Sequence, residues 1–224
     1  MRHDFTRRHL ILGLPLALAG CAASAPYVAA AVTDPRYAAL YGTLKDPPYT
    51  IPALDLAEID PSVLRQDVPY RGSYQPGTVI ISIRERRLYL VEDGGRAWRF
   101  GIGVGREEGL NFRGSAIIGR KAKWPSWTPT PNMIAHIPKY AAYADGMRGG
   151  LGNPLGARAL YLYRNDEDTH FRVHGTNEPK SIGKAASSGC IRLFNHDIIY
   201  LYDRLGIGTP VVVQREAVSE GLPR

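Results

Sequence analysis

The sequence predicts a mainly β fold: a curled, sandwich-like sheet with a small number of short helices. Short β-branched and apolar runs bounded by turn residues recur between Thr78 and Gln214. Ile198, Leu201, Tyr202 and Leu205 form the one extended set of apolar residues at helical spacing. The run Trp124-Pro125-Ser126-Trp127-Thr128-Pro129-Thr130-Pro131 cannot be regular structure and reads as an ordered aromatic loop, a lid or groove wall.

Taken in order, the folded domain is expected to begin at Gly77. Thr78–Ile83, Leu88–Val91 and Ala97–Val104 read as a meander, with Glu92-Asp93-Gly94-Gly95 as its hairpin turn. Gly101-Ile102-Gly103-Val104-Gly105 resembles a dinucleotide loop only superficially, because no helix and no βαβ unit frame it. Its glycines read instead as bends in the sheet. A short helix is expected within Met133–Tyr140, and Gly149 to Gly156 reads as a turn-rich loop. Ala159–Tyr163 and His170–His174 are expected strands, with Phe171 and Val173 on one face and Arg172 and His174 on the other. Asn195 is the expected N-cap of the single well-marked helix, Asp197 lies in its first turn, and Gly206 closes it. Pro210–Gln214 is the last strand.

The amino terminus carries a different kind of signal. Arg2, Arg7 and Arg8 precede an apolar run, Leu10 to Ala19, too short to cross a bilayer as a stable helix. The run ends in Leu18-Ala19-Gly20-Cys21, which resembles a bacterial lipobox with Cys21 as the lipidated first mature residue. Residues 1–21 are thus read as a lipoprotein signal, 22–76 as a Pro/Ala/Tyr-rich tether and arm, 77–214 as the catalytic domain and 215–224 as a tail. In the arm, Asp46-Pro47-Pro48 and Asp60-Pro61 allow short helices at most, near Pro35–Leu40 and Pro61–Arg65, and its tyrosines suggest packing on the domain. Ala22, where an aspartate would favour inner-membrane retention, points to the outer membrane. Arg7-Arg8 also resembles a twin-arginine export signal, the alternative to the general secretory route. The expected location is the periplasm, on a membrane anchor.

The formal net charge is +7, which suits an anionic partner surface. The arginines are scattered, without a basic helix or an aromatic-interleaved stripe, so no nucleic-acid partner is expected. A monomer is expected.

Candidate chemistry concentrates between His174 and Arg192. The chain has two cysteines. With Cys21 lipidated, Cys190 has no partner in an oxidising compartment and reads as a reactive thiol. A thiol nucleophile needs a base, donors for an oxyanion and a setting that favours the thiolate. His174 is the candidate base, the N–H groups around Gly189 and Cys190 the candidate donors, and Arg192 a fixed positive charge. These features are expected to lower the Cys190 pKa. His170 lies two residues before His174 on the same expected face, and His196 reads as a surface residue. The histidines and the cysteine lack metal-ligand spacing, so no metal and no cofactor are expected.

His174-Gly175-Thr176, Ser181-Ile182-Gly183, Ser187-Ser188-Gly189-Cys190-Ile191-Arg192 and the helix after them resemble the YkuD-domain L,D-transpeptidase family. Gly152-Asn153-Pro154-Leu155-Gly156 and the Trp-Thr-Pro run ending at Met133 extend the resemblance to roughly Gly77–Gln214. One departure is Ser188, where many members carry histidine.

The resemblance implies Cys190 as nucleophile, His174 as general base, and the Gly175 carbonyl orienting the imidazole through its other nitrogen. Thr176, Asn177, Glu178, Ser187, Ser188, Gly189 and Arg192 would shape the substrate pocket, and Arg192 would either hold a substrate carboxylate or pack the loop. The implied reaction is attack on a peptidoglycan stem tetrapeptide, loss of its terminal D-alanine, a thioester on Cys190, and transfer to an amine. Transfer to water, cleavage of a lipoprotein–peptidoglycan link, or a non-catalytic wall-binding lipoprotein are the alternatives.

Overall fold

A computed structural model describes residues 34–106, 112–187, 189–214 and 218. The lipobox cysteine Cys21, the export signal before it and Ser188 lie outside the described residues.

In chain order the elements are α1 (Pro35–Leu40), β1 (Leu44–Asp46), β2 (Tyr49–Ile51), β3 (Gln66–Pro69), β4 (Val79–Ser82), β5 (Arg87–Glu92), β6 (Arg96–Gly101) and β7 (Val104–Gly105). Then come β8 (Gly114–Lys123), α2 (Pro131–His136), β9 (Arg158–Arg164), β10 (Glu167–His174), β11 (Ala185–Ser187), β12 (Ile191–Arg192), α3 (Asn195–Arg204) and β13 (Pro210–Gln214). Nine strands form one mixed sheet in the order β12-β10-β9-β8-β13-β4-β5-β6-β3. The β4/β13 and β10/β12 pairs are parallel and the rest antiparallel. The mainly β class read from the sequence is the class observed.

The alternation in the sequence decides which face is buried. Val79, Ile81, Leu88, Leu90, Ile118, Leu160, Leu162 and Val173 meet Ile198, Leu201 and Leu205 of α3 in the main core. Ile80, Tyr89, Val91 and Ala97 point to the other face and join Tyr70. Central strands buried on both faces read as continuous apolar runs, which is why Val79–Ser82 looked so clear.

β8 is the element the sequence reading passed over. Ser115 to Lys123 looks polar, with Arg120, Lys121 and Lys123 in its second half. Lys121 and Arg120 each have a structural reason to be there. Lys121 Nζ donates to the Tyr202 and Leu205 carbonyls, 2.6 Å each, and so caps the carboxyl end of α3. The Arg120 guanidinium lies 3.5 Å from the Tyr161 ring centroid. A register shift between Ile118 and Arg120 lets β8 bury Ile118 while turning Arg120 to the opposite face.

The arm is also more ordered than expected. It contributes the β1–β2 hairpin and the sheet-edge strand β3, where only short helices were expected. The short helices are α1 and a 3₁₀ turn at Pro61–Val63. Tyr41 and Leu64 are each 1% exposed and pack with Ile59, Val63, Ile182 and Phe194. The Tyr41 hydroxyl lies 3.0 Å from Asp197 Oδ2 and accepts from the Arg65 backbone N–H at 2.7 Å. Asp197 is fully buried, and burial pushes its carboxyl up to about 7 against the opposing pull of Arg65 and Tyr41. Buried Arg158 forms a two-pronged pair with Asp46 of β1, at 2.6 and 2.7 Å. The packed body therefore begins well before Gly77.

Two local expectations need correction. The N-cap position of α3 is Phe194, which makes no side-chain cap; Asn195 is the first helical residue and its side chain has another task, described below. The helix ends at Leu205, whose N–H donates to the Leu201 carbonyl, rather than through a glycine cap at Gly206.

A chain truncated to begin at Gly77 leaves Asp197 buried without Tyr41 or Arg65 and Arg158 without Asp46. Stranding one partner of a buried charge pair costs about 3–5 kcal/mol, a large share of a domain's stability. The truncated chain is expected to lose cooperative urea unfolding, as followed by circular dichroism. Cooperative unfolding with the full chain's midpoint would contradict the integrated packing.

Candidate active site

The site forms where β12 joins β10 at the sheet edge. Their parallel register sets Ile191 opposite Val173 and Arg192 opposite His174. Val173 and Ile191 enter the core, so Arg172, His174, Cys190 and Arg192 take the other face. Cys190 stands at the end of β12, at the register position next to Arg172. Paired bonds between Gly103 and Arg192, 2.9 Å each way, and Leu193 N to His174 O at 2.8 Å hold the short strand down. Gly103 allows this close approach: a Cβ there would sit 3.0 Å from the Ser181 carbonyl oxygen. The Gly101–Gly105 run thus marks close backbone approaches. Among the described residues no helix follows it before β8.

His174 is buried, and its Nδ1 lies 2.6 Å from the Gly175 carbonyl oxygen. With that carbonyl accepting Nδ1–H, the lone pair is left on Nε2, the tautomer a general base requires. Burial, seconded by the Arg192 charge, pulls the imidazole pKa down to about 4. His174 is therefore a neutral imidazole across the physiological range.

The turn before Cys190 is tight. Ser187 Oγ donates to the Cys190 carbonyl at 2.7 Å and accepts the Gly189 N–H at 3.1 Å. Gly189 has φ of 122°, which glycine adopts without strain. The Gly189 N–H is thereby committed to Ser187, which removes one of the two oxyanion donors expected from sequence. Cys190 is a free, partly exposed cysteine. Its thiol pKa is raised, not lowered as the sequence suggested. Burial of the sulfur is the largest influence and outweighs the Arg172 backbone N–H and the Arg172 and Arg192 charges.

Asn195 ties these pieces together, a role the sequence reading missed. Its Oδ1 accepts from Ala157 N at 2.9 Å and its Nδ2 donates to Thr176 O at 3.0 Å. A Cβ on either Gly156, at φ 62°, or Gly175 would collide with Asn195 Oδ1. Two glycines thus let the backbone close around one amide, and that clasp holds Thr176, the residue after the Gly175 carbonyl that faces His174. Asn153, 1% exposed, does the same for the Gly152–Gly156 loop: its Nδ2 faces the Pro125, Met147 and Arg148 carbonyls and its Oδ1 accepts Leu155 N.

The remaining candidates divide. Asn177, Glu178 and Arg192 line a cavity of about 250 Å³, with Trp127, Tyr140 and Tyr143 of the aromatic loop region opposite. Arg192 pairs with Glu178 at 2.8 Å, and Asn177 Nδ2 donates to the Gly152 carbonyl at 2.8 Å. Thr176 is 3% exposed and its Oγ1 accepts the Glu178 N–H, so it shapes the loop from inside. α2 begins at Pro131, earlier than expected, with Thr130 as its cap. The arm braces the cavity wall from behind: Tyr49 OH donates to the Gly149 carbonyl at 2.7 Å, and its ring lies 4.4 Å from that of Trp124.

The other histidines fall away from this group. His170 has φ of 60° inside a register shift and is exposed, so it does not share the regular alternation of His174. His196 is buried, not a surface residue, with Nε2 at 2.8 Å from the Gly42 carbonyl.

Residues 76–213 match the family described as YkuD, L,D-transpeptidase catalytic domain. The chain belongs to that family. It is 36% identical to the probable L,D-transpeptidase ErfK/SrfK of Escherichia coli K12 over 146 residues, 63% of this chain and 45% of the relative. It is 34% identical to the probable L,D-transpeptidase YbiS of the same strain over 149 residues, 63% of this chain and 45% of the relative. The chain thus spans about half the length of these curated relatives. A Brucella melitensis crystal structure described as a probable carnitine operon oxidoreductase is 50% identical, covering 70% of this chain and 96% of that one, with a TM-score of 0.47.

The two pKa directions fix a pH profile. In the reaction that the family resemblance implies, thioester formation should fall as pH drops through about 4, where the His174 imidazole becomes protonated. It should be level through neutral pH and rise again only as the raised thiol itself ionises. Single-turnover acylation of Cys190 followed by mass spectrometry across pH checks this. A limb near pH 6.5, the ordinary imidazole value, would contradict it.

Proposed function

We propose that the protein is a peptidoglycan L,D-transpeptidase. The observation that carries the proposal is the His174–Gly175 bond on the face and at the strand pair that also hold Cys190. In the proposed reaction Cys190 Sγ attacks the carbonyl of the third residue of a stem tetrapeptide as its proton passes to His174 Nε2. His174 returns that proton to the amine of the departing D-alanine. The thioester on Cys190 is then opened by an acceptor amine, whose proton His174 takes in turn. The 250 Å³ cavity beside the aromatic loop, lined by Asn177, Glu178 and Arg192, is the candidate donor-peptide site.

Family membership supports the acyl-transfer chemistry, and the Leu18-Ala19-Gly20-Cys21 lipobox supports a lipid anchor and a periplasmic location. Transfer to water, or cleavage of a lipoprotein–peptidoglycan link, would proceed through the same thioester. Gly101–Gly105 packs against Arg192 and β11, and among the described residues it opens no nucleotide-binding helix.

Incubation with a stem tetrapeptide should give an enzyme heavier by the tripeptide acyl group, with the addition mapped to Cys190, and crosslinked muropeptides on further reaction. A carbapenem should add once at the same residue. Cys190→Ser should abolish both additions, and His174→Ala should slow them by about 10²–10⁴-fold at neutral pH. Normal acylation of either variant would sink the assignment.

A further inference from the structure

The face that carries Cys190 continues across the sheet, and a second charged group lies on it. Following the register outward from Cys190, Arg172 pairs with Tyr161, and Tyr161 with Arg120. The three side chains form one row on that face. The Tyr161 ring lies between the guanidiniums, with Arg120 at 3.5 Å and Arg172 at 4.4 Å from its centroid. Arg172 is matched by Asp168 through two bonds, 2.7 and 2.9 Å. Arg120 is exposed and has no carboxylate within ion-pair distance among the described residues. It lies on β8, two strands from β10, whereas Asn177, Glu178 and Arg192, which line the candidate donor cavity, belong to the segment after β10 and to β12.

We infer that Arg120, held flat on Tyr161, is a specificity-determining residue for the second substrate and binds a carboxylate of the incoming acceptor peptide. The inference rests on the acyl-transfer reading above and names the acceptor's chemical class. A guanidinium fixed on an aromatic ring has lost little of its fork of N–H donors and has less freedom left to lose on binding. Its pairing with a carboxylate is bidentate and directional. Three strand spacings of about 4.8 Å separate the β12 and β8 positions, and stacking over β9 brings the charge roughly one spacing nearer. The remaining distance, roughly 10 Å, is two or three extended peptide residues. The acceptor is therefore a peptide whose carboxylate stands two or three residues from its attacking amine. The exposed Arg120 guanidinium suits a polymer-borne acceptor that must arrive and leave.

The test uses equilibrium binding to full-length Cys190→Ser protein, so it needs no catalysis. The probes are a stem tripeptide with a free terminal carboxylate and the same peptide as its terminal amide, followed by calorimetry. The acid should bind about tenfold or more tightly than the amide. Arg120→Gln should bring the ratio to about one, and Arg120→Lys should restore part of it. An unchanged ratio in Arg120→Gln, or equal affinity for the two peptides in the parent protein, would overturn the inference. Thioester formation on unsubstituted Cys190 is measured separately, so failure of the acyl-transfer reading shows as absent thioester and failure of this inference as an unchanged binding ratio.

Discussion

The site depends on the closure of the backbone around the Asn195 amide. β12 is only two residues long, and a strand that short cannot hold the Cys190 segment by ladder bonds alone. Asn195 bonds the segments after β10 and before β9 at once, and Gly156 and Gly175 make room for it. The Thr176 carbonyl it bonds is one residue beyond the Gly175 carbonyl that faces the imidazole. The same helix that begins with Asn195 sends Ile198, Leu201 and Leu205 into the core. Core packing and catalytic geometry are therefore one construction.

A contest between charge and desolvation governs the chemistry. Arg172 and Arg192 both favour a thiolate at Cys190, but protein packed around the sulfur disfavours it more. The same burial keeps His174 neutral. At rest Cys190 is thus a neutral thiol and His174 a neutral imidazole, and in the proposed reaction the proton moves when an electrophilic carbonyl arrives. This favours a nucleophile that is quiet toward solvent and oxidants and active toward a bound substrate.

Much of this was legible in the chain. The spacing of His174, Gly189, Cys190 and Arg192, the central strands and the apolar stripe of α3 all carry local signals. β8 was hidden because its cations serve tertiary partners, the α3 carbonyls for Lys121 and the Tyr161 ring for Arg120. Arg65 and Asp197 look like surface charges and meet only through the fold. Asn195 has the residue type of a helix cap, and nothing local shows that its amide turns toward Ala157 and Thr176 instead. The direction of the thiol shift was misread for a related reason: charge can be counted along a chain, but burial is created only by folding.

Ultraviolet titration of the Cys190 thiolate tests the neutral-pair account most directly, with Cys190→Ser protein as the blank. The account predicts no thiolate signal at neutral pH, with absorbance appearing only above the ordinary thiol range of about 8.5. A thiolate signal at neutral pH in the absence of substrate would contradict it.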